Sequence, residues 1–253
     1  MVGKTRRLKR IFKDNRSVIV PMDHGVTALE DGLENIDDLI SKISDFIDAI
    51  IVHKGIVKHS KVIPKLEAGL IIHLSGSTSL SVDPNDKRIL ASVEKAISLG
   101  ADAVSVHVNI GSKSENRQIE ELGKISEICD YYGIPLLAMM YPRGENIVTN
   151  TETVSHAARV GYELGADVVK VPYVENFSQV VKYCKIPIVV AGGGRISEIE
   201  LFERVRKAIT QGASGIAVGR NVFGSKDPRK TARELYQIVH NLEVIKHEGN
   251  LVI

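Results

Sequence analysis

Three times, this chain ends a helical stretch on glycine and turns within two residues into a short apolar run. The copies are Ser98-Leu99-Gly100-Ala101-Asp102-Ala103-Val104-Ser105-Val106, Glu163-Leu164-Gly165-Ala166-Asp167-Val168-Val169-Lys170-Val171 and Gln211-Gly212-Ala213-Ser214-Gly215-Ile216-Ala217-Val218. Each puts glycine where a helix needs a left-handed C-cap, then alanine, then a buried strand. A chain built on that joint alternates helices with strands, and strands separated by helices pair in parallel.

Eight short runs rich in β-branched and other apolar residues fit the strand role: Ser17–Met22, Ala49–His53, Gly69–Leu74, Ala103–Val108, Pro135–Met140, Asp167–Val171, Pro187–Ala191 and Gly215–Gly219. They are nearly continuous in apolar character, as parallel strands covered on both faces should be. Helical spacing occupies Ile36–Ile47, Val93–Leu99, Asn116–Tyr131, Thr153–Leu164 and Glu198–Thr210, while the link between the second and third runs is too short for a full helix. The pattern predicts a (β/α)8 TIM barrel, an α/β fold, as a single domain over 1–253. Residues 1–16 read as an N-terminal extension or helix and 230–253 as a C-terminal helix and tail. An open doubly wound sheet is the alternative, but no GxGxxG joins the first run to a following helix.

Charge argues against several partners. A formal net charge of +2 gives no reason to expect nucleic acid or an acidic membrane. The basic run Lys4–Arg10 reads as a solvated N-terminal helix. Cys129 and Cys184 form no CxxC pair, which fits a reducing compartment and no structural zinc. No signal-peptide core follows the basic start, and no apolar run reaches the roughly 20 residues needed to span a bilayer. The expectation is a soluble cytoplasmic protein.

In such barrels chemistry sits at the C-terminal strand ends. There the runs deliver Asp23 and His24, then His53 and Lys54, His73, His107, and Tyr141 with Arg143. Lys170 lies within the sixth run, Gly192-Gly193-Gly194-Arg195 ends the seventh, and Gly219-Arg220-Asn221 ends the eighth. One polar residue followed by glycine is an ordinary turn; such endings around a whole barrel mouth point to a site. The three glycines let backbone approach an anion, Ser197 can cap the following helix, and Arg195 and Arg220 can add charge-assisted contacts. A phosphate ester is the substrate class this predicts. His24, Lys54, His107, Arg143, Gly192, Gly193, Gly194, Arg195, Gly219 and Arg220 are the candidate substrate contacts.

Lys170 is the sharpest feature. A lysine in a buried strand is costly as a cation, and the commonest use of such an amine is an imine with a carbonyl substrate. The plainer reading is a lysine that reaches solvent or pairs with a carboxylate. With Tyr141 to shuttle protons and Asp23 to hold a substrate hydroxyl or relay protons, the three form a natural reaction set for making or breaking a C–C bond. Alone, Tyr141 would more simply be a rim tyrosine bonded to backbone. His53, His73 and His107 keep a metal-dependent lyase open, although neither HExxH nor a Cys/His pair supports it. A catalytically silent barrel that binds phosphorylated metabolites is a third reading, and a phosphate-ester isomerase a fourth.

These residues carry a resemblance that runs over nearly the whole chain. Asp23-His24-Gly25, His53-Lys54-Gly55-Ile56, His73-Leu74-Ser75-Gly76, Tyr141-Pro142-Arg143-Gly144, Gly165 to Lys170 and Ala217 to Asn221 resemble the archaeal-type class I fructose-bisphosphate aldolases and the related 2-amino-3,7-dideoxy-D-threo-hept-6-ulosonate synthases. The resemblance implies a Schiff base at Lys170, acid/base work by Tyr141, a role for Asp23, and phosphate binding after the seventh and eighth strands. It implies no metal or other cofactor, and a homo-oligomer, possibly a decamer. His73-Leu74-Ser75-Gly76, His107-Val108-Asn109-Ile110-Gly111 and Met139 to Gly144 look more like the synthases, which join a keto-sugar fragment to aspartate semialdehyde on the 3-dehydroquinate route to aromatic amino acids. Fructose-1,6-bisphosphate aldolase is the alternative. Two loops depart from the family pattern: Tyr173-Val174-Glu175-Asn176 stands for Tyr-Thr-Gly-Asp, and Gly192-Gly193-Gly194-Arg195 for Gly-Gly-Pro-Lys. Both flank the expected pocket.

Overall fold

The computed structural model describes residues 2–240. Of the C-terminal helix and tail expected over 230–253, the described part is a helix, Pro228–His240, and 241–253 lie outside the described residues. Eight parallel strands close into a barrel in sequence order: β1 (Ser17–Pro21), β2 (Ala49–Val52), β3 (Gly69–His73), β4 (Ala103–Ile110), β5 (Leu136–Pro142), β6 (Val168–Pro172), β7 (Ile188–Ala191) and β8 (Gly215–Ala217). Ser17 opposite Gly215 closes the ring. All eight apolar runs are strands of this TIM barrel. β4 and β5 outrun the sequence reading because they stay paired from Val104↔Leu136 to Ile110↔Pro142. The eighth run stops early because Gly219 opens a short helix (Arg220–Phe223).

The helices on the outside include α1 (Val2–Leu8), α2 (Ile36–Ile43), α3 (Lys54–His59), α4 (Val93–Ser98), α5 (Glu115–Tyr132), α6 (Thr151–Glu163), α7 (Phe177–Tyr183) and α8 (Glu198–Thr210). The expected helix to Ile47 ends at Ile43, where the chain tightens into a 3-10 turn over Ser44–Phe46. The glycines of the three repeated joints take the left-handed conformation, with φ of +85° at Gly100, +88° at Gly165 and +101° at Gly212. The short helices α3 and α7 escaped the sequence pattern, as did two strands after β3, Ser75–Gly76 and Arg88–Ile89, which pair antiparallel and carry the loop 77–87 beside the barrel mouth. They are too short for periodicity to register. No described helix is long and apolar enough to cross a membrane.

Strand alternation sorts the core into two layers. Val169 and Val171 pack outward with the helices, whereas Val168 faces inward with Ile19, Ile51, Ile71, Leu137, Met139 and Val189. Ile11, with Leu8 and Phe12, belongs to the inner cluster and stoppers the N-terminal end of the barrel. At that end the aspartates do structural work. Asp48, Asp102 and Asp167 accept the backbone N–H of Val18, Leu70 and Leu136 at 2.8, 2.9 and 2.9 Å.

The N-terminal segment supplies a cation to each of these carboxylates: Lys13 to Asp48 (3.3 Å), Arg10 to Asp102 (2.9 Å) and Lys4 to Asp167 (2.7 Å). The basic run is therefore only partly a solvated face: Arg6, Lys9 and Arg10 are exposed, but the run also holds buried structural contacts. Lys4 is buried and also pairs with Asp130, and Arg7 donates to the Gly133 carbonyl. Sequence reading missed this because the acidic partners lie far along the chain.

Candidate active site

The open C-terminal end of the barrel holds a cavity of about 460 Å³, lined from the ends of six of the eight strands. Lys170 lies on its floor. Its strand alternation fixes this: Val169 and Val171 are core residues facing the helices, so Lys170 must face in, level with Met139 on β5 and Val189 on β7. It is 7% exposed and forms no ion pair among the described residues, so the plainer reading of Lys170 as a structural partner of a carboxylate fails.

Asp23 and Tyr141 line the same cavity. Burial by itself would raise the Asp23 carboxyl, but the positive charges of His73, then His24, Lys170 and His53 outweigh it and hold the carboxyl at about 2. His73 and His24 stand 3.8 Å from its two oxygens. Burial works the other way on the histidines. It pushes His73 down to about 4 despite the pull of Asp23, and it lowers His24 and His53 as well. At neutral pH the site therefore holds a carboxylate beside uncharged imidazoles.

The three histidines weighed as metal ligands are engaged elsewhere. His73 Nδ1 bonds Ser105 Oγ at 2.8 Å, and His53 packs edge-on against the His73 ring. His107 Nε2 bonds Asn109 Oδ1 at 2.8 Å, and its ring stacks on Tyr141 with centroids 4.8 Å apart. Burial, with Lys87 and Arg143 nearby, drives His107 well below its ordinary value. Among the described residues no group of three or more His, Cys, Asp or Glu is arranged to hold a metal ion.

The glycine loop after β7 forms one wall. Gly193 has φ of +71°, which favours glycine. A side chain at Gly219 would sit 2.5 Å from the Pro21 carbonyl, so only glycine lets β8 leave the barrel here. Arg220 donates to the Gly193 carbonyl at 3.0 Å, holding its guanidinium beside the cavity. Asn221, which sequence reading missed as a site residue, shapes the loop: its Nδ2 donates to Gly192 and Gly194 (3.1 and 2.9 Å), and its Oδ1 accepts from Ile196 N (2.9 Å). Ser197 caps α8 through the Glu200 N–H, as the pattern suggested.

Two expected contacts do not reach the cavity. Lys54 is turned along the surface, where its Nζ donates to the Leu90 carbonyl. It opens α3, and a helix start swings its side chain off the strand axis. Arg195 points back across the rim to the Asp31 carbonyl (3.2 Å), near Glu30. His24, His107, Arg143, Gly192, Gly193, Gly194, Gly219 and Arg220 all line the cavity. So do Lys87, Glu30 and Thr149, none of which the strand ends could announce.

A family model for DeoC/LacD family aldolases matches residues 17–225, the whole barrel. The chain belongs to the DeoC/LacD family of aldolases. It is therefore an enzyme, and the silent-barrel reading falls away. This aldolase is 62% identical, over 100% of its length and 98% of the relative's, to the 2-amino-3,7-dideoxy-D-threo-hept-6-ulosonate synthase 1 of Archaeoglobus fulgidus. It is 40% identical to the 2-amino-4,5-dihydroxy-6-oxo-7-(phosphonooxy)heptanoate synthase of Streptomyces griseus, over 94% and 91% of the two chains. Among solved structures, an archaeal fructose-1,6-bisphosphate aldolase with its catalytic lysine covalently bound to the carbinolamine intermediate matches with TM-score 0.82 and 32% identity, over 93% and 99% of the chains.

Proposed function

We propose that this aldolase transfers a ketone fragment from a phosphorylated keto-sugar to aspartate semialdehyde, as a 2-amino-3,7-dideoxy-D-threo-hept-6-ulosonate synthase. The observation that carries the reading is Lys170, an inward-facing, unpaired amine on the floor of a cavity that also holds Asp23 and Tyr141. The 62% identity to the Archaeoglobus synthase favours this acceptor over cleavage of fructose 1,6-bisphosphate.

In this reading the Lys170 amine adds to the donor ketone, and the carbinolamine loses water to an iminium. Tyr141 moves the protons of that dehydration. The iminium draws in the electron pair of the neighbouring C–C bond, the donor hydroxyl loses its proton, and an aldehyde departs. The enamine left on Lys170 then attacks the acceptor aldehyde. The new alkoxide takes a proton, and water hydrolyses the imine to free the product. Asp23, anionic through the working pH range, accepts the hydrogen bond of a substrate hydroxyl and so orients the bond to be broken.

The glycine loop 192–194 and Arg220 receive the phosphate, through backbone N–H groups and one guanidinium. The chemistry needs no metal or other cofactor, and the enzyme works as a cytoplasmic homo-oligomer, a state that light scattering would test. The deciding experiment is borohydride trapping read by intact-protein mass spectrometry. It uses 6-deoxy-5-ketofructose 1-phosphate, with and without aspartate semialdehyde, and separately fructose 1,6-bisphosphate. A reduced adduct on Lys170 with the first sugar supports the synthase; an adduct with the bisphosphate alone moves the reading to the sugar aldolase.

A further inference from the structure

Lys87 is a lysine that neither the strand ends nor the aldolase chemistry uses. It is 7% exposed, yet it lines the main cavity together with Arg143 and His107. Its Nζ donates to Ser77 Oγ at 2.7 Å. Among the described residues neither Lys87 nor Arg143 forms an ion pair, and Arg143 lies over the Tyr141 ring at 5.2 Å. Burial lowers the Lys87 ammonium first, and the Arg143 charge lowers it further. Asp23 and Asp83 pull the other way without reversing that shift, so the two cations still repel each other across the cavity and an anionic ligand relieves that repulsion.

The fold fixes Lys87 in place. Loops at a barrel rim are usually the mobile part. Here Asn109 and Gln118 both donate to the Asn85 carbonyl at 2.9 Å, and Arg117 pairs with Asp86 while donating to the Lys87 carbonyl at 2.8 Å. Asn109 and Gln118 are buried. β4 and α5 thus hold the loop down on the side facing Lys170, which spares a ligand the entropy of ordering it.

We infer that Lys87 and Arg143 form a second anion site, which binds the carboxylate of the acceptor, an amino-acid aldehyde. The inference rests on the transaldol reading above. The glycine loop offers backbone amides suited to phosphate, whereas this wall offers two side-chain cations, and a guanidinium matches a planar carboxylate. The named products of both relatives are 2-amino acids.

Calorimetric titration with L-aspartate, and separately with glycerol 3-phosphate, tests the assignment on the whole enzyme. Lys87→Met weakens aspartate by about tenfold or more, the loss of one charge-assisted hydrogen bond, and Lys87→Arg retains most of the affinity. Arg143→Met, on another element, shows the same selective loss, which guards against a folding defect in the loop variant. Arg220→Met loses glycerol 3-phosphate instead. No aspartate binding by the wild type, unchanged affinity in Lys87→Met, or equal loss of both ligands overturns the inference. Failure of the aldolase reading shows separately, as absence of the borohydride adduct on Lys170.

Discussion

His107 lies nearly flat against Tyr141, with planes 18° apart and centroids separated by 4.8 Å. Asn109 holds the far ring nitrogen of His107, and Arg143 lies against the Tyr141 ring. The phenol proposed to move protons is therefore aimed by its neighbours rather than by a bond of its own. His107→Ala is expected to lower kcat by about ten- to a hundredfold, since sub-ångström misplacement of a catalytic group carries penalties of that size. Fold stability should fall by roughly 1 kcal/mol for the lost ring pair. Steady-state kinetics beside a denaturant melt would separate the two effects.

Lys170→Ala should abolish turnover and leave a folded protein, because it removes the amine on which the proposed imine forms. Tyr141→Phe should slow turnover by about 10²- to 10⁴-fold, the usual worth of a positioned acid/base, and let an imine precursor accumulate for borohydride to trap. Full activity in Lys170→Ala would sink the proposed mechanism.

Acid should destabilise the fold through its buried histidines. The unfolded chain takes up a proton at His73 near pH 6.5, while the folded chain refuses it until about pH 4. The unfolded state therefore binds more protons between those values, and stability falls as pH drops through that window. From pH 6.5 to 5 the loss from this one residue is about 2 kcal/mol. Asp23 is displaced in the same direction at lower pH: its contribution is present above the ordinary carboxylate value near 3.8 and is lost as pH falls toward about 2. Urea melts of wild type and His73→Gln at pH 7 and pH 5 would test this. The variant should show the smaller drop.

The clamp at the closed end makes a prediction independent of catalysis. Burial alone lowers the Lys4 ammonium, but hydrogen bonds and charge from Asp130 and Asp167 more than offset it, so its value is raised. Its contribution is thus complete below the ordinary lysine value near 10.5 and is lost as pH rises through the folded one. Lys4→Ala should cost about 1.5–3 kcal/mol, the range for hydrogen bonds to charged groups, with kcat unchanged. Thermal melts at neutral pH would read the loss.

Asn221→Ala should raise KM for the phosphorylated donor by about tenfold while moving kcat less. It frees three backbone groups of the glycine loop, each lost bond being worth about 1 kcal/mol. An unchanged KM would take the phosphate away from that loop.

The sequence by itself determined the barrel and its central amine. Glycine caps, continuous apolar runs and the two-residue period of a strand are local signals, so the eight strands could be read without knowing what each would touch. That period also fixed Lys170 as an inward side chain once its neighbours Val169 and Val171 were committed to the outer core. Only the tertiary structure decided which rim residues meet. Lys54 and Arg195 sat at strand ends like the true cavity residues, yet the backbone turns there send them to the Leu90 and Asp31 carbonyls. Lys87 and Asn221 reach the site through partners far along the chain, on loops whose direction no periodicity encodes. The same holds at the closed end, where Lys4 finds its carboxylate at Asp167. Local pattern sets which way a strand residue faces; the path of a loop depends on distant groups that fold against it.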